Sequence, residues 1–125
     1  MAGTLVIDTL TDGSGNSTSA TAVVRGCAKA WVKFTGSTGG VNSSYNVSSV
    51  TRSAAGVYTV NFTNALADAN FGWALGATRG AGVDVNFLLG STGQSTTTIN
   101  VVCTYAYSSP GTYYDPVNMC VAIFR

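Results

Sequence analysis

Side chains that could transfer protons or attack a substrate are scarce in this chain of 125 residues. Without histidine or glutamate, neither a Ser-His-Asp nor a Cys-His arrangement can form within one chain. A glycosidase requires two convergent carboxylates about 5 to 9 Å apart. Asp84 falls in a predicted strand, and Asp68 and Asp115 fall in predicted loops, so only the fold or a subunit interface could bring them together. We therefore predict a protein that is not an enzyme.

Metal binding is equally poorly supported by the sequence. The segment Asp12-Gly-Ser-Gly-Asn16 begins like a calcium loop, but Ser17 and Val23 occupy the positions of the expected glycine and glutamate. A zinc site would need a close cysteine pair or histidines. The cysteines are instead far apart in apolar runs, and we interpret them as small buried hydrophobes, with one disulfide possible if two strands align: Cys27, Cys103 and Cys120. We predict no metal and no cofactor.

A tyrosine-rich segment at residues 105–118 is the strongest candidate for a binding site. It is too long and too polar for a tight hairpin, and loops carry function more often than scaffold strands do. A tyrosine offers a flat apolar face and a hydroxyl to a sugar ring, and a carboxylate can accept bonds from the sugar hydroxyls. The candidate ligand-binding residues are Tyr107, Tyr113, Tyr114 and Asp115. The alternative is that these tyrosines continue a strand or pack a subunit interface.

The elements that must position this segment are strands. Apolar and polar residues alternate at period two in several runs separated by Gly, Ser, Thr and Asn, which is typical of a sandwich or barrel. The predicted strands are residues 28–34, 45–52, 57–63, 71–75, 83–89, 99–105 and 118–124. The fold class is therefore all-β, an antiparallel β-sandwich of jelly-roll type over residues 27–125. Its predicted core is Trp31, Phe34, Tyr58, Val60, Phe62, Val85, Phe87, Val101 and Phe124.

The composition favours an oligomer and argues against nucleic acid as a partner. Charged residues make up 9% of the chain, against about 25% in ordinary soluble domains. The small residues Gly72, Ala74 and Gly76 alternate with larger ones, so one face of that strand could approach a second subunit closely. We predict a homotrimer on these grounds. The net charge of +1 provides no basic field for nucleic acid.

Residues 1–26 are predicted to form an extended N-terminal arm. The β-prone run at residues 4–10 places Leu5 and Ile7 on one face, and turn-forming residues follow it. We expect this arm to attach the domain to other proteins or to sister chains, through Leu5 and Ile7. No signal peptide and no membrane-inserting segment is recognisable.

The runs at residues 27–34, 45–52, 57–63 and 64–71 together resemble surface proteins of tailed bacteriophages, in particular tail-fibre domains. The run at residues 4–10 is similar to the opening of several such fibres. The resemblance implies a homotrimer on the virion, made in the host cytoplasm, that attaches to other virion proteins. It also implies recognition of a host surface glycan or protein without catalysis. No binding residue is transferred by motif.

Three functional classes compete within this resemblance. One is a fibre or receptor-binding component that recognises the host cell. Another is a purely structural virion protein, such as a capsid decoration protein or a tail adaptor. The third, a fragment of a glycan-degrading tailspike, is disfavoured by the missing carboxylate pair.

Overall fold

The computed structural model describes residues 3–80, 87–105 and 112–125. In chain order the elements are β1 (Thr9–Thr11), β2 (Ser17–Ser19), α1 (Ala20–Gly26), β3 (Ala28–Thr35), β4 (Val41–Tyr45), β5 (Val47–Ala54), β6 (Val57–Phe62), β7 (Gly72–Thr78), β8 (Phe87–Gln94), β9 (Thr98–Tyr105) and β10 (Asn118–Phe124). Eight of the strands form two antiparallel four-stranded sheets, ordered β4-β3-β10-β7 and β5-β6-β9-β8. The predicted antiparallel sandwich is therefore confirmed.

The path of the chain through the two sheets is not confirmed as a jelly roll. Three successive strand pairs, β3–β4, β5–β6 and β8–β9, are neighbours within one sheet. The remaining connections pass from one sheet to the other, and the first and last strands of the sandwich pair with each other at its centre.

Strict alternation builds the core between the sheets. In β6, every second residue is buried, because a strand points successive side chains to opposite faces. The same period holds in β3, β9 and β10. Fully burying each large apolar side chain stabilises the fold by about 1.5–3 kcal/mol. Of the predicted core, the buried members are Phe34, Tyr58, Val60, Phe62 and Val101.

Two aromatic residues predicted to be buried lie on the outer face instead. Trp31 is 39% exposed and Phe124 is 38% exposed. In β3 the buried parity belongs to Ala30, Val32 and Phe34, which leaves Trp31 outside. Phe124 follows the buried Ile123 and therefore points outward too. Val85 and the side chain of Phe87 lie outside the described residues.

The arm differs from the predicted extended strand. Of the predicted run at residues 4–10, only Thr9 and Leu10 lie in a strand, β1, which forms a small hairpin with Ser17–Ser19. Helix α1 follows. The Ser19 hydroxyl caps the start of this helix by accepting a hydrogen bond from the Ala22 backbone N–H at 3.1 Å. None of the arm residues from 3 to 26 is buried.

The sandwich has two different ends. Ala28, where the arm joins β3, pairs with Phe124 at the end of β10, and we name this the arm end. At the opposite end Thr35 pairs with Asn118, and the β5–β6 turn and the tyrosine-rich segment lie there as well. We name it the loop end. A seven-residue strand separates the two ends by about 23 Å.

Candidate functional site

Asp115 is the centre of a hydrogen-bond network at the loop end. Its carboxylate receives a bidentate pair from Arg52, with Nε to Oδ1 at 2.9 Å and Nη2 to Oδ2 at 2.6 Å. The Gly56 backbone N–H donates to Oδ1 at 2.9 Å, and the Tyr58 hydroxyl donates to Oδ1 at 2.8 Å. These donors come from β5, the following turn and β6, so Asp115 connects its segment to one hairpin.

The network sets the ionisation of both of its acidic groups. The Arg52 guanidinium, with further donation from Gly56 and Tyr58, lowers the pKa of Asp115 to about 2. Burial and the nearby carboxylate raise the pKa of the Tyr58 hydroxyl well above its usual range. At neutral pH the carboxylate is therefore ionised and the phenol is protonated, and neither group is poised for proton transfer.

Backbone contacts hold the same segment close to the sandwich. The Tyr114 N–H donates to the Cys103 carbonyl at 3.0 Å, and the Cys103 N–H donates to the Gly56 carbonyl at 2.8 Å. Gly56 has a φ of 65°, in the left-handed region, and no side chain would fit there because a Cβ would lie 2.3 Å from the Cys103 carbonyl oxygen. Residues 114–115 are thus locked onto β9 and the β5–β6 turn.

A second glycine, Gly36, allows a close approach of the chain just before β10 begins. A Cβ on Gly36 would lie 1.9 Å from the Pro116 carbonyl oxygen, and Pro116 itself is fully buried. The Val117 N–H then donates to the Thr78 carbonyl at 2.8 Å. These contacts join the segment to the other sheet as well.

The structure separates the roles open to the predicted tyrosines. Tyr113 is 50% exposed, and its backbone bridges to Thr104. Tyr114 is half-buried, with its ring 4.5 Å from the ring of Tyr105. Tyr107 lies outside the described residues. Tyr113 therefore presents a ring to solvent, while Tyr114 packs against β9, and their roles in ligand binding stay predictions.

Asp115 is placed beside these tyrosines, but its oxygens already accept four bonds within the chain. The sequence analysis did not identify Arg52, Gly56 or Tyr58 as its partners. One signal was available, since Arg52 is one of only six basic residues and lies near the end of a predicted hairpin. Its pairing with a residue 63 positions away has no local signature.

Two of the other aspartates, Asp12 and Asp68, are engaged within the chain. Asp12 accepts bonds from the Ser14 and Asn16 backbone N–H groups and from the Asn16 amide, so it closes the arm hairpin, as the predicted turn requires. Those bonds lower the pKa of Asp12, the Asn16 side chain most. Asp68 pairs with Arg125, and Asp84 lies outside the described residues. Within residues 3–80, 87–105 and 112–125, no three His, Cys, Asp or Glu side chains lie together as metal ligands would.

Two of the three cysteines differ from their predicted burial, and Cys103 agrees with it. Cys103 is buried in the core, and burial raises the pKa of its thiol to about 11. Cys27 and Cys120 are exposed, because one precedes β3 and the other has the outward parity of β10. All three thiols are free.

A shallow groove at the arm end was not expected from the sequence. It encloses about 320 Å³ and is lined by Tyr45, Asn46, Thr63 and Asn64. Asn46 adopts a φ of 53°, and its side chain amide donates to the Lys29 and Asn64 carbonyls at 3.2 Å each. Its side chain thus joins β3 to the segment after β6 and shapes the groove.

The Asp115 network predicts a pH dependence of stability. The pKa of this carboxyl is lowered from 3.8 to about 2, so its stabilising contribution is complete above about pH 5 and is lost as the pH falls through 4 towards 2. We expect Asp115→Asn to be clearly less stable than wild type at pH 7, and the gap in urea midpoint to shrink by pH 2.5. Asp8→Asn, on the exposed arm, is the control. A gap that is constant with pH would contradict the proton linkage.

Comparisons with protein-family models, curated proteins and solved structures give no match to this chain. In the part of the chain that the structure describes, no helix is long and apolar enough to cross a membrane.

Proposed function

We propose that this protein is a non-catalytic bacteriophage virion component, a fibre or receptor-binding domain that recognises the host cell surface through its loop end. The observation that carries the proposal is the opposition of two features across the sandwich. The segment that bears Tyr113 is fixed at one end, and the arm leaves from the other. Such a layout suits a protein that attaches by one end and binds by the other.

The rigidity of the segment favours binding. The bonds to Asp115 and the Tyr114 and Val117 backbone hold residues 114–117 in place before any ligand arrives. A pre-ordered surface loses less conformational entropy on binding, so more of the contact energy appears as affinity. In this arrangement Asp115 positions the neighbouring tyrosines, and the aromatic face that meets a sugar ring or a protein is that of Tyr113.

A single exposed ring gives weak binding, which several copies would strengthen. An aromatic contact contributes about 1 kcal/mol, or roughly fivefold in affinity. We propose a homotrimer displayed on the virion, in which three equivalent loop ends engage one cell surface together. Linked sites raise the overall affinity without any new contact.

The test is host adsorption of phage particles that carry Tyr113→Ala. We expect adsorption to fall at least fivefold while the melting temperature stays within about 1 °C of wild type, because an exposed ring adds little to the core. The matched control is Tyr45→Ala, which removes a similarly exposed tyrosine at the arm end, 58% exposed against 50% for Tyr113. Equal adsorption of both variants and wild type would exclude Tyr113 as a contact.

The second candidate is a purely structural virion protein, such as a capsid decoration protein or tail adaptor. It is favoured by the outer face of the β4-β3-β10-β7 sheet, where Tyr45, Trp31, Ala122 and Ala74 form one uncharged row across four strands. Immunogold electron microscopy of particles separates the two candidates. Label at the tail tip supports host recognition, and label over the capsid supports the structural role.

A further inference from the structure

Strand β7 is an unprotected edge. Sheet proteins commonly guard exposed edges with charged residues, prolines or bulges, because a free edge pairs readily with another strand. The sequence of β7, Gly-Trp-Ala-Leu-Gly-Ala-Thr, contains no charge and no proline. Its ladder with β10 runs from Gly72 to Thr78 without a register shift, whereas the ladders of the other three edge strands each contain at least one. Of the four edges, β7 is therefore the one best prepared to accept a further strand.

The inner side of β7 is also incompletely covered. Trp73 and Leu75 pair with Ile123 and Val121, so they point towards the core side of the sheet. Leu75 packs against the core, but Trp73 remains 39% exposed, since no strand among the described residues lies beyond β7. An added strand would cover Trp73 with whatever side chains it directs inward.

The arm supplies a strand-forming segment that pairs with no other part of the chain that the structure describes. Residues 3–7 read Gly-Thr-Leu-Val-Ile, rich in β-forming side chains, and no hydrogen bond joins them to other described residues. Leu5 is 80% exposed and Val6 is 86% exposed. The arm beyond it is anchored, since the Ala20 N–H donates to the Asp8 carbonyl at 2.9 Å and the Lys29 ammonium in β3 donates to the Val24 carbonyl in α1.

From these two unsatisfied surfaces we infer that residues 3–7 of one copy add a fifth strand beside β7 of a second copy. The backbone groups of both strands then pair, as in β-strand addition. Leu5 and Ile7 share one face of the added strand and cover Trp73, while Val6 points to the outer face. The sequence predicted that the arm attaches the domain either to other proteins or to sister chains, and this inference selects the sister chain. It does not depend on host recognition at the loop end.

Arm exchange also explains a closed assembly. The donated arm and the accepting edge are different surfaces of the chain, so the contact is heterologous. Heterologous contacts form a ring when the rotation between copies closes, and each copy then both gives and receives one arm. Three copies would give the proposed homotrimer.

The test combines molar mass with a tryptophan reporter in the full chain. Light scattering of wild type should give at least twice the chain mass of 12.8 kDa. Leu5→Asp/Ile7→Asp should give a monomer with an unchanged far-UV circular dichroism spectrum. In a Trp31→Phe background, where Trp73 is the remaining tryptophan, the same arm variant should shift the emission to longer wavelength. In a Trp73→Phe background, the outer-face Trp31 should show no such shift.

Val6→Asp is the matched control, since it places the same charge one position along the arm on the opposite face. It should leave the mass of the assembly unchanged. A wild-type monomer at 100 µM would overturn the inference, as would an assembly that survives Leu5→Asp/Ile7→Asp. If Val6→Asp dissociated the assembly equally, the assignment of Leu5 and Ile7 to the face that meets β7 would be wrong. An emission shift seen for Trp31 and not for Trp73 would place the interface on the outer face of the sheet instead.

Discussion

Gly56→Ala is expected to destabilise the protein by about 3 kcal/mol or more. A left-handed backbone costs a residue with a Cβ about 1–2 kcal/mol, and here a Cβ would also lie 2.3 Å from the Cys103 carbonyl oxygen and 2.6 Å from the Tyr114 nitrogen. Both obstacles are backbone atoms, so relief requires the β5–β6 turn to move away. That movement would weaken the Cys103 N–H bond to the Gly56 carbonyl and the Gly56 N–H bond to Asp115. Urea unfolding followed by tryptophan fluorescence measures the loss.

Gly90→Ala is the control for this substitution. Gly90 lies within β8, and an added Cβ would meet only the Val102 Cγ2 at an ordinary 3.8 Å. Replacing glycine in a strand interior by alanine changes stability little or raises it slightly. If Gly56→Ala were as well tolerated as Gly90→Ala, the tyrosine-bearing segment could not be packed against the turn as described.

Tyr58→Ala is expected to cost about 4 kcal/mol, because truncating a fully buried aromatic residue leaves a cavity. The variant loses the edge-to-face contact with Phe34, whose ring centroid lies 4.9 Å away, and the hydroxyl bond to Asp115. Tyr58→Phe removes the hydroxyl alone. We expect it to cost about 1.5–3 kcal/mol, because the lost bond is to a charged acceptor. Urea unfolding at pH 7 should rank wild type, Tyr58→Phe and Tyr58→Ala in decreasing stability.

A double-mutant cycle isolates the contact between Tyr58 and the carboxylate. Tyr58→Phe and Asp115→Ala should be less than additive, because each removes the same hydrogen bond. Additive effects would mean that the hydroxyl and the carboxylate do not interact in the folded protein. In that case the hydrogen bonds that hold Asp115 at the loop end would come from Arg52 and Gly56 alone.

Much of the sandwich could be predicted from local patterns. Alternation in β6 identified Tyr58, Val60 and Phe62 as one buried face, because the period of a strand is a property of its own backbone. The same reasoning located β10 at its observed bounds. It failed for β4, whose residues are all exposed, so that no alternation marks the strand.

Other features depended on which strands became neighbours. Trp31 and Phe34 have opposite parity, and both inward choices were consistent with the local sequence. The pairing of Trp31 with Tyr45 and Ala122 on the outer face settled the choice. Likewise, the order of strands within the sheets, and hence the free edge of β7, follows from long-range pairing that no short window of sequence encodes.

The candidate site divides in the same way. Composition alone indicated a chain poor in catalytic groups, and the residue types at 105–118 indicated a tyrosine-rich loop. Only the tertiary structure decided that Tyr113 faces solvent and Tyr114 packs on Tyr105. It alone joined Asp115 to Arg52, 63 residues away, because a salt bridge depends on distance in space and leaves no trace in the spacing along the chain.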